Sequence, residues 1–191
     1  MLNLNFGAPQ TTTYRSDRPR VPWKNAQGTT QIVAQTNQWR VSIADEPVHS
    51  VFSVIEDYDR IFIPIGSEEI KLSSNTSSFA KSDTKENDEI IHRVKPLQPL
   101  NFPGEWAPTS RTDVPTRALN VMTLRGYTTA EIYINRAPAL LDPSATRIYV
   151  FVPSEEAIVV PPWTAVKFPT QGTDMVVSIE LSAINIQRPQ S

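Results

Sequence analysis

Cysteine is absent from the chain, and with it go disulfides, thiolate nucleophiles and thiolate zinc sites. A reducing, cytoplasmic compartment is what this composition suits. Histidine is almost as scarce. His49 and His92 each lack another histidine one, three or four positions away, whereas zinc enzymes need closely spaced imidazoles that converge on one ion. The expectation is a protein with no metal site and no other cofactor, its histidines sitting in loops or at strand ends. Glycine numbers 6 in 191 residues, and neither G-x-G-x-x-G, G-x-x-x-x-G-K-S/T nor G-x-S-x-G occurs, so phosphate-cradling loops and the nucleophile elbow are missing. No apolar run approaches the roughly 20 residues of a membrane-spanning helix. The stretch MLNLNFGAPQ also lacks a charged region followed by an apolar one, so neither a membrane segment nor a signal peptide is expected. With 18 basic and 20 acidic residues the formal net charge is -2, which exerts no long-range attraction on nucleic acid or anionic lipid.

What the chain does have is proline: 17 of them, spread along its length, leaving few windows for a long helix. The fold class is therefore all-β. Trp39 to Ala44, WRVSIA, sets Trp39, Val41 and Ile43 on one face and Arg40, Ser42 and Ala44 on the other, a half-buried strand pattern. Arg60 to Gly66 repeats the alternation, with Pro64 marking an edge or a break because it has no N–H for the ladder. Further strands are expected at Arg117 to Leu124, Glu131 to Asn135, Arg147 to Val152, Ala157 to Val160, Thr164 to Phe168 and Met175 to Ile186. Many short strands at close spacing read as a sandwich or barrel. Ser73 to Glu89 is polar with one aromatic residue, the composition of a mobile loop between strands.

The chemistry concentrates in RVPWKNAQGTT, Arg20 to Thr30. Trp23 offers a flat apolar face, Lys24 a point charge, Asn25 a donor and an acceptor, and Gly28 lets the backbone bend close to a guest. The segment suits either the wall of a small-ligand site or the plug at the end of a barrel. Asp57 and Asp59, two apart, fit turn chemistry as well as acid–base work. Arg40, Ser42, Asp59, Arg60, Glu105, Asn120 and Met122 complete a polar set on strand-like segments. If Arg40 and Arg60 turn inward beside Lys24, a cavity gains guanidinium forks suited to carboxylate, and Asp59 or Glu105 would offset the buried charge.

These segments resemble the HutD/Ves family of bacterial cupin-like proteins. The matching blocks are VPWKNAQGTT from Val21, WRVSIAD from Trp39, the Phe52-Ser53 and Asp59-Arg60 pairs, KPLQPLNFPGEW from Lys95, and LNVMTLRG from Leu119. They run in order over roughly 20–126. The family's tryptophan, basic residue and asparagine fall on Trp23, Lys24 and Asn25, its threonine on Thr30, its W-R-x-S strand on Trp39, Arg40 and Ser42, and its N-x-M-T on Asn120, Met122 and Thr123; Phe102 and Glu105 lie in the fourth block. Many relatives carry three glycines where this chain has Ala26, Gln27 and Gly28, and commonly an acidic residue where it has Ile32.

The resemblance implies a cupin-like double-stranded β-helix in bicupin form, two small β-barrel modules over 1–125 and 126–191, the second packed against the first and sharing strands with the N-terminal region. It implies no metal, no defined reaction, and a link to histidine utilisation with small carboxylates such as N-formylglutamate as ligands. The first reading is a non-enzymatic, regulatory or accessory binder of a small anionic metabolite. The second is a metal-independent isomerase or hydrolase with Glu105 or Asp59 as general base and Lys24 as electrophile. The third is a structural interaction module with a filled barrel. Exposed strand edges in such barrels pair in dimers, which makes a homodimer an expected assembly.

Overall fold

Short alternating segments become fifteen strands in the structure, a computed structural model that describes residues 9–23, 25–75, 89–168 and 174–184. In chain order they are β1 (Thr11–Thr13), β2 (Arg20–Pro22), β3 (Thr29–Gln35), β4 (Trp39–Glu46), β5 (His49–Val51), β6 (Tyr58–Pro64), β7 (Ile70–Asn75), β8 (Glu89–Val94), β9 (Leu100–Pro103), β10 (Thr109–Arg111), β11 (Thr116–Leu124), β12 (Thr128–Asn135), β13 (Thr146–Val152), β14 (Ala157–Val160) and β15 (Met175–Ala183). A single 3-10 turn, Arg15–Asp17, is the helical element among the described residues. No helix among them is long and apolar enough to cross a membrane.

The strands form three antiparallel sheets: a six-stranded sheet ordered β2-β3-β4-β11-β6-β9, a four-stranded sheet β5-β10-β7-β8 and a five-stranded sheet β1-β14-β13-β15-β12. The six-stranded sheet is shared between two cores. One face packs Val41, Ile43, Ile63, Leu119 and Val121 against Ile148, Val150, Val177 and Ile179 of the five-stranded sheet. Each such side chain is nearly free of solvent and contributes roughly 1.5–3 kcal/mol by leaving water. The other face meets the four-stranded sheet through a smaller cluster in which Phe52, Phe62 and Phe102 join Ile70, Leu72 and Val94.

This explains why the alternation at 39–46 understates burial. Trp39, Val41 and Ile43 enter the larger core, while Arg40, Ser42, Ala44 and Glu46 face the other sheet rather than solvent. A register shift between Ile32 and Ala34 helps in the same way: the extra residue lets Val33 and Ala34 both enter the larger core while Ile32 and Gln35 stay on the inner side, as a bulge does. Pro64 ends β6, where pairing with β9 has already stopped at Phe62, so its missing N–H breaks no ladder.

Three expectations need correction. Thr164 to Phe168 is not a strand; the Thr164 carbonyl accepts from Arg147 Nη2 at 2.6 Å, and the segment lies over the outer face of the five-stranded sheet, where Val166 packs on the Tyr149 cluster. The last strand stops at Ala183, short of Ile186, which lies outside the described residues. Of the segment read as a loop, Ser73 to Asn75 and Glu89 belong to β7 and β8, and 76–88 lies outside the described residues. The C-terminal region contributes one five-stranded sheet, in which N-terminal β1 pairs with β14.

Candidate functional site

Cross-strand register builds the site row by row. Gln35, Arg40, Met122, Arg60 and Phe102 stand side by side across five strands. The next row on the same face is Ile32, Ser42, Asn120, Phe62 and Leu100. Thr30, Ala44 and Ala118 follow, and Glu46 opposite Thr116 closes the series. In front of these rows lies a cavity of about 790 Å³, within the range of small-molecule sites. Trp23 and Val21 close one side, and the segment from Phe52 to Tyr58 forms the other. The Trp23 indole N–H donates to Thr30 Oγ1 at 3.1 Å, which fixes the ring.

Arg40 is the half-buried cation that faces the cavity. Its Nη2 donates to Met122 Sδ at 3.1 Å, and its Nε is buried without a partner. No ion pair reaches it among the described residues. Burial lowers its pKa, against a raising pull from Tyr58.

Arg60 is more deeply set, with Nη2 donating to Asn120 Oδ1 at 3.1 Å and its guanidinium 4.8 Å and 5.1 Å from the Phe52 and Phe102 ring centres. Such cation–π contacts partly offset the lost hydration. Desolvation still pulls its pKa down to about 10, with Glu46 acting upward and Arg40 downward.

Sequence reasoning missed Glu46. It is 2% exposed, borders the cavity, and accepts from Ser110 Oγ at 3.5 Å, with Ser110 and Ser50 sharing a hydrogen bond of 2.8 Å. Burial raises its pKa to about 7, opposed by Arg60 and the two serines. The signal was present, because stepping by two from Arg40 through Ser42 and Ala44 arrives at Glu46.

Of the residues singled out from sequence, Trp23, Thr30, Arg40, Ser42, Asn120 and Met122 line the cavity, and Arg60 and Phe102 lie behind its wall. Asn25 turns aside, its amide donating to the Val51 carbonyl at 2.9 Å. Lys24 lies outside the described residues. Asp59 and Glu105 do not offset Arg40 or Arg60, because Arg125 holds both near solvent, at 3.1 Å and 3.0 Å. That contact, with backbone hydrogen bonds, brings the Glu105 pKa down to about 2. Asp57 sits in the turn before β6 with φ of 63°. His49 and His92 lie on β5 and β8, away from the cavity, and His92 packs edge-on against Trp106.

The sequence profile of the HutD family matches residues 15–187. The chain belongs to the HutD family. Among solved structures, HutD from Pseudomonas fluorescens SBW25, described as determined in a formate condition, superposes with a TM-score of 0.66 at 20% identity, covering 92% of this chain and all of that one. The conserved protein PA5104 from Pseudomonas aeruginosa PAO1 superposes at 0.65, also at 20% identity, over 92% of this chain and 100% of its own. A cupin protein from Desulfovibrio desulfuricans covers 55% of this chain at a TM-score of 0.38 and 7% identity. No curated protein matches the chain. The HutD likeness shows the fold, with the cavity set between two of its sheets.

Proposed function

We propose that this HutD-family protein binds a small carboxylate metabolite in the cavity between the six- and four-stranded sheets, in a regulatory or accessory role and without a metal. The observation that carries the reading is Arg40: an inward-facing guanidinium whose Nε lacks a partner and which no carboxylate of the described residues pairs with. A buried cation left without an anion is costly, and a guanidinium fork is shaped for a carboxylate. Ser42 and Asn120 on the neighbouring row offer hydrogen bonds that orient the guest, and Trp23 supplies an apolar wall.

A cavity of this size separates the reading from a filled structural barrel. The general-base candidates Asp59 and Glu105 stand in the Arg125 network instead of the cavity, which favours binding over catalysis through them. The same reading treats the chain as a cytoplasmic bicupin, with 1–125 carrying the site and 126–191 packed behind it.

Calorimetric titration with formate, acetate and longer carboxylates tests the proposal. Wild type should bind at least one of them, and Arg40→Ala should lose about ten- to over a hundred-fold in affinity, the worth of a charge-assisted hydrogen bond in a sheltered site. Equal affinity in a folded Arg40→Ala variant would overturn it.

A further inference from the structure

The five-stranded sheet ends on β12, a strand of eight residues. The other border strands are shorter: β1, β2 and β5 have three residues, β9 four and β8 six, and β2 and β9 each end in proline. Short length and proline are means by which a free edge is kept from pairing with another chain. β12, TTAEIYIN, has neither, and it carries no lysine and no register shift in its pairing with β15. Among the described residues no strand pairs with its other side.

One hydrogen bond decides which backbone groups face that free side. Ile184 N donates to the Tyr127 carbonyl at 2.8 Å, at the position that continues the register from the pair Thr128 and Ala183. Bonded positions alternate along an antiparallel pair. The odd-numbered residues of β12 therefore bond to β15, while Ala130, Ile132 and Ile134 turn their N–H and C=O groups to the free edge. The side chains of these residues point inward, half-buried against the larger core together with Ile61 and Leu97. Unpaired backbone groups and an incompletely covered apolar rim thus coincide at one edge.

On the outer face Thr129, Glu131, Tyr133 and Asn135 alternate with them, all exposed, and the Tyr133 hydroxyl donates to Glu131 Oε2 at 2.6 Å. Glu131 already stands opposite Glu180 on β15, so a further carboxylate beside it is disfavoured and a hydrogen-bond donor favoured. The loop after β12 adds apolar surface. Ala139 N donates to Ser178 Oγ and Asp142 N to Glu180 Oε2, which lays 139–142 along β15 next to its partners Tyr133 and Glu131, with Leu140 fully exposed.

We propose that β12 pairs antiparallel with β12 of a second copy of this chain, about a twofold axis at Ile132, so that the two five-stranded sheets become one continuous sheet. In this register Ile132 meets the partner's Ile132 and Ala130 meets the partner's Ile134, which covers the apolar rim and satisfies the outward backbone groups. On the outer face Glu131 meets the partner's Tyr133, repeating the hydroxyl–carboxylate contact that the strand makes within itself, and Thr129 meets the partner's Asn135. Neighbouring registers are worse. Centring the axis on Glu131 sets two carboxylates against each other, and centring it on Tyr133 leaves Ala130 beyond the end of the partner strand. β12 contributes nothing to the cavity lining, so the pairing leaves the ligand site open.

The test is sedimentation velocity on the full chain, joined to cross-linking that the absence of native cysteine makes clean. Wild type should sediment at twice its 21.4 kDa chain mass. Tyr133→Glu, an exposed substitution that sets carboxylates face to face, should weaken the dimer about tenfold or more with an unchanged far-UV spectrum. Ile132→Pro removes an outward N–H without breaking a bond to β15 and should weaken it likewise. Glu131→Cys and Tyr133→Cys chains, mixed and oxidised, should form a covalent dimer faster than either variant alone, because this non-hydrogen-bonded pair brings Cα atoms to about 4.5 Å, within disulfide reach. If Ile132→Pro fails to fold, the exposed Tyr133→Glu and the cross-link decide. A wild type that is monomeric at every concentration overturns the proposal and leaves the edge to another segment of this chain or to a strand of a different protein. A dimer that ignores Tyr133→Glu and shows no preference for the mixed cross-link is built on another surface, which overturns it equally.

Discussion

The hydrogen bond that the Arg40 side chain makes ends on the sulfur of Met122, 3.1 Å away. A thioether is a weak acceptor, so this contact positions the guanidinium without satisfying it, and Arg60 on the far side of Met122 adds like charge. Arg40 is thus held against its own electrostatic preference, a usual sign of a residue kept for a ligand.

Arg40→Met is accordingly expected to make the ligand-free protein more stable. The substitution keeps the stem that packs on the wall and removes the unpaired charge, and a gain of about 1 kcal/mol is the low end of what exchanging buried charge for apolar groups of similar volume brings. Thermal melts should show a higher midpoint, together with loss of carboxylate binding. A lower midpoint in the absence of ligand would mean that the guanidinium stabilises the fold.

Glu46 predicts how stability depends on pH. Its carboxyl titrates near 4.5 in the unfolded chain and about 7 in the folded one, so between these values the native state holds a proton that the unfolded state has released. Stability from this group is therefore greatest below pH 4.5 and declines as pH rises to 7, by an amount on the order of 3 kcal/mol at about 1.36 kcal/mol per unit. Glu46→Gln should flatten that decline and leave the variant more stable than wild type at pH 8. Urea midpoints measured from pH 5 to pH 8 check it, and parallel curves for the two proteins would remove Glu46 as the cause.

How much of this was visible in the chain follows from the range of each signal. Strand alternation is local, so the inward row Arg40, Ser42, Ala44 could be read from five consecutive residues, and the all-β class from the proline load. What covers each face is not local. Asp59 looked available for Arg60, but Arg125, 66 positions away, takes it. Thr164 to Phe168 alternates like a strand, yet Arg147 captures its first carbonyl and no strand among the described residues pairs with it. Glu46 escaped notice because the pattern was followed to Ala44 and stopped one step short. Ala26 shows the reverse: the residue type gives no hint that it stands at φ 56°, a conformation glycine adopts more readily.

The five-stranded sheet is tied to the cavity sheet by a buried charge cluster, and this yields a third expectation. Arg117 grips Glu155 with two parallel hydrogen bonds, Nε to Oε1 at 2.8 Å and Nη2 to Oε2 at 2.5 Å, and its remaining Nη1 reaches Asp45. Arg18 approaches the same carboxylate at 3.9 Å and donates to the Glu155 carbonyl at 2.7 Å. Glu155→Ala leaves Arg18 buried without a carboxylate, at a cost of about 3 kcal/mol, the low end for a broken buried pair because Asp45 still serves Arg117. Denaturant unfolding should show that loss. A change of less than about 0.5 kcal/mol would place the cluster with ordinary surface pairs.

Gly28 gives the fourth expectation, because the space its missing side chain leaves is already occupied. A Cβ there would lie 2.9 Å from two atoms of the Trp23 ring and 2.9 Å from the Asp45 carbonyl oxygen, closer than carbon or oxygen can approach. The guest for which this glycine makes room is the chain's own indole. The Trp23 backbone N–H donates to the Gly28 carbonyl across the turn at 2.9 Å, and the indole N–H is tethered to Thr30, so the ring cannot yield without losing its place as a cavity wall. Asp45 is backbone in β4, paired with Thr29, and resists displacement more than a side chain does. Gly28→Ala should therefore push Trp23 from the wall, shifting its fluorescence to longer wavelength as the ring meets water. Carboxylate affinity should fall with it while Arg40 stays in place, and Thr30→Val, which removes the hydroxyl but keeps the volume, should produce a smaller change in the same direction. If Gly28→Ala leaves both the emission maximum and the affinity at wild-type values, the close approach of ring and backbone does not govern the wall.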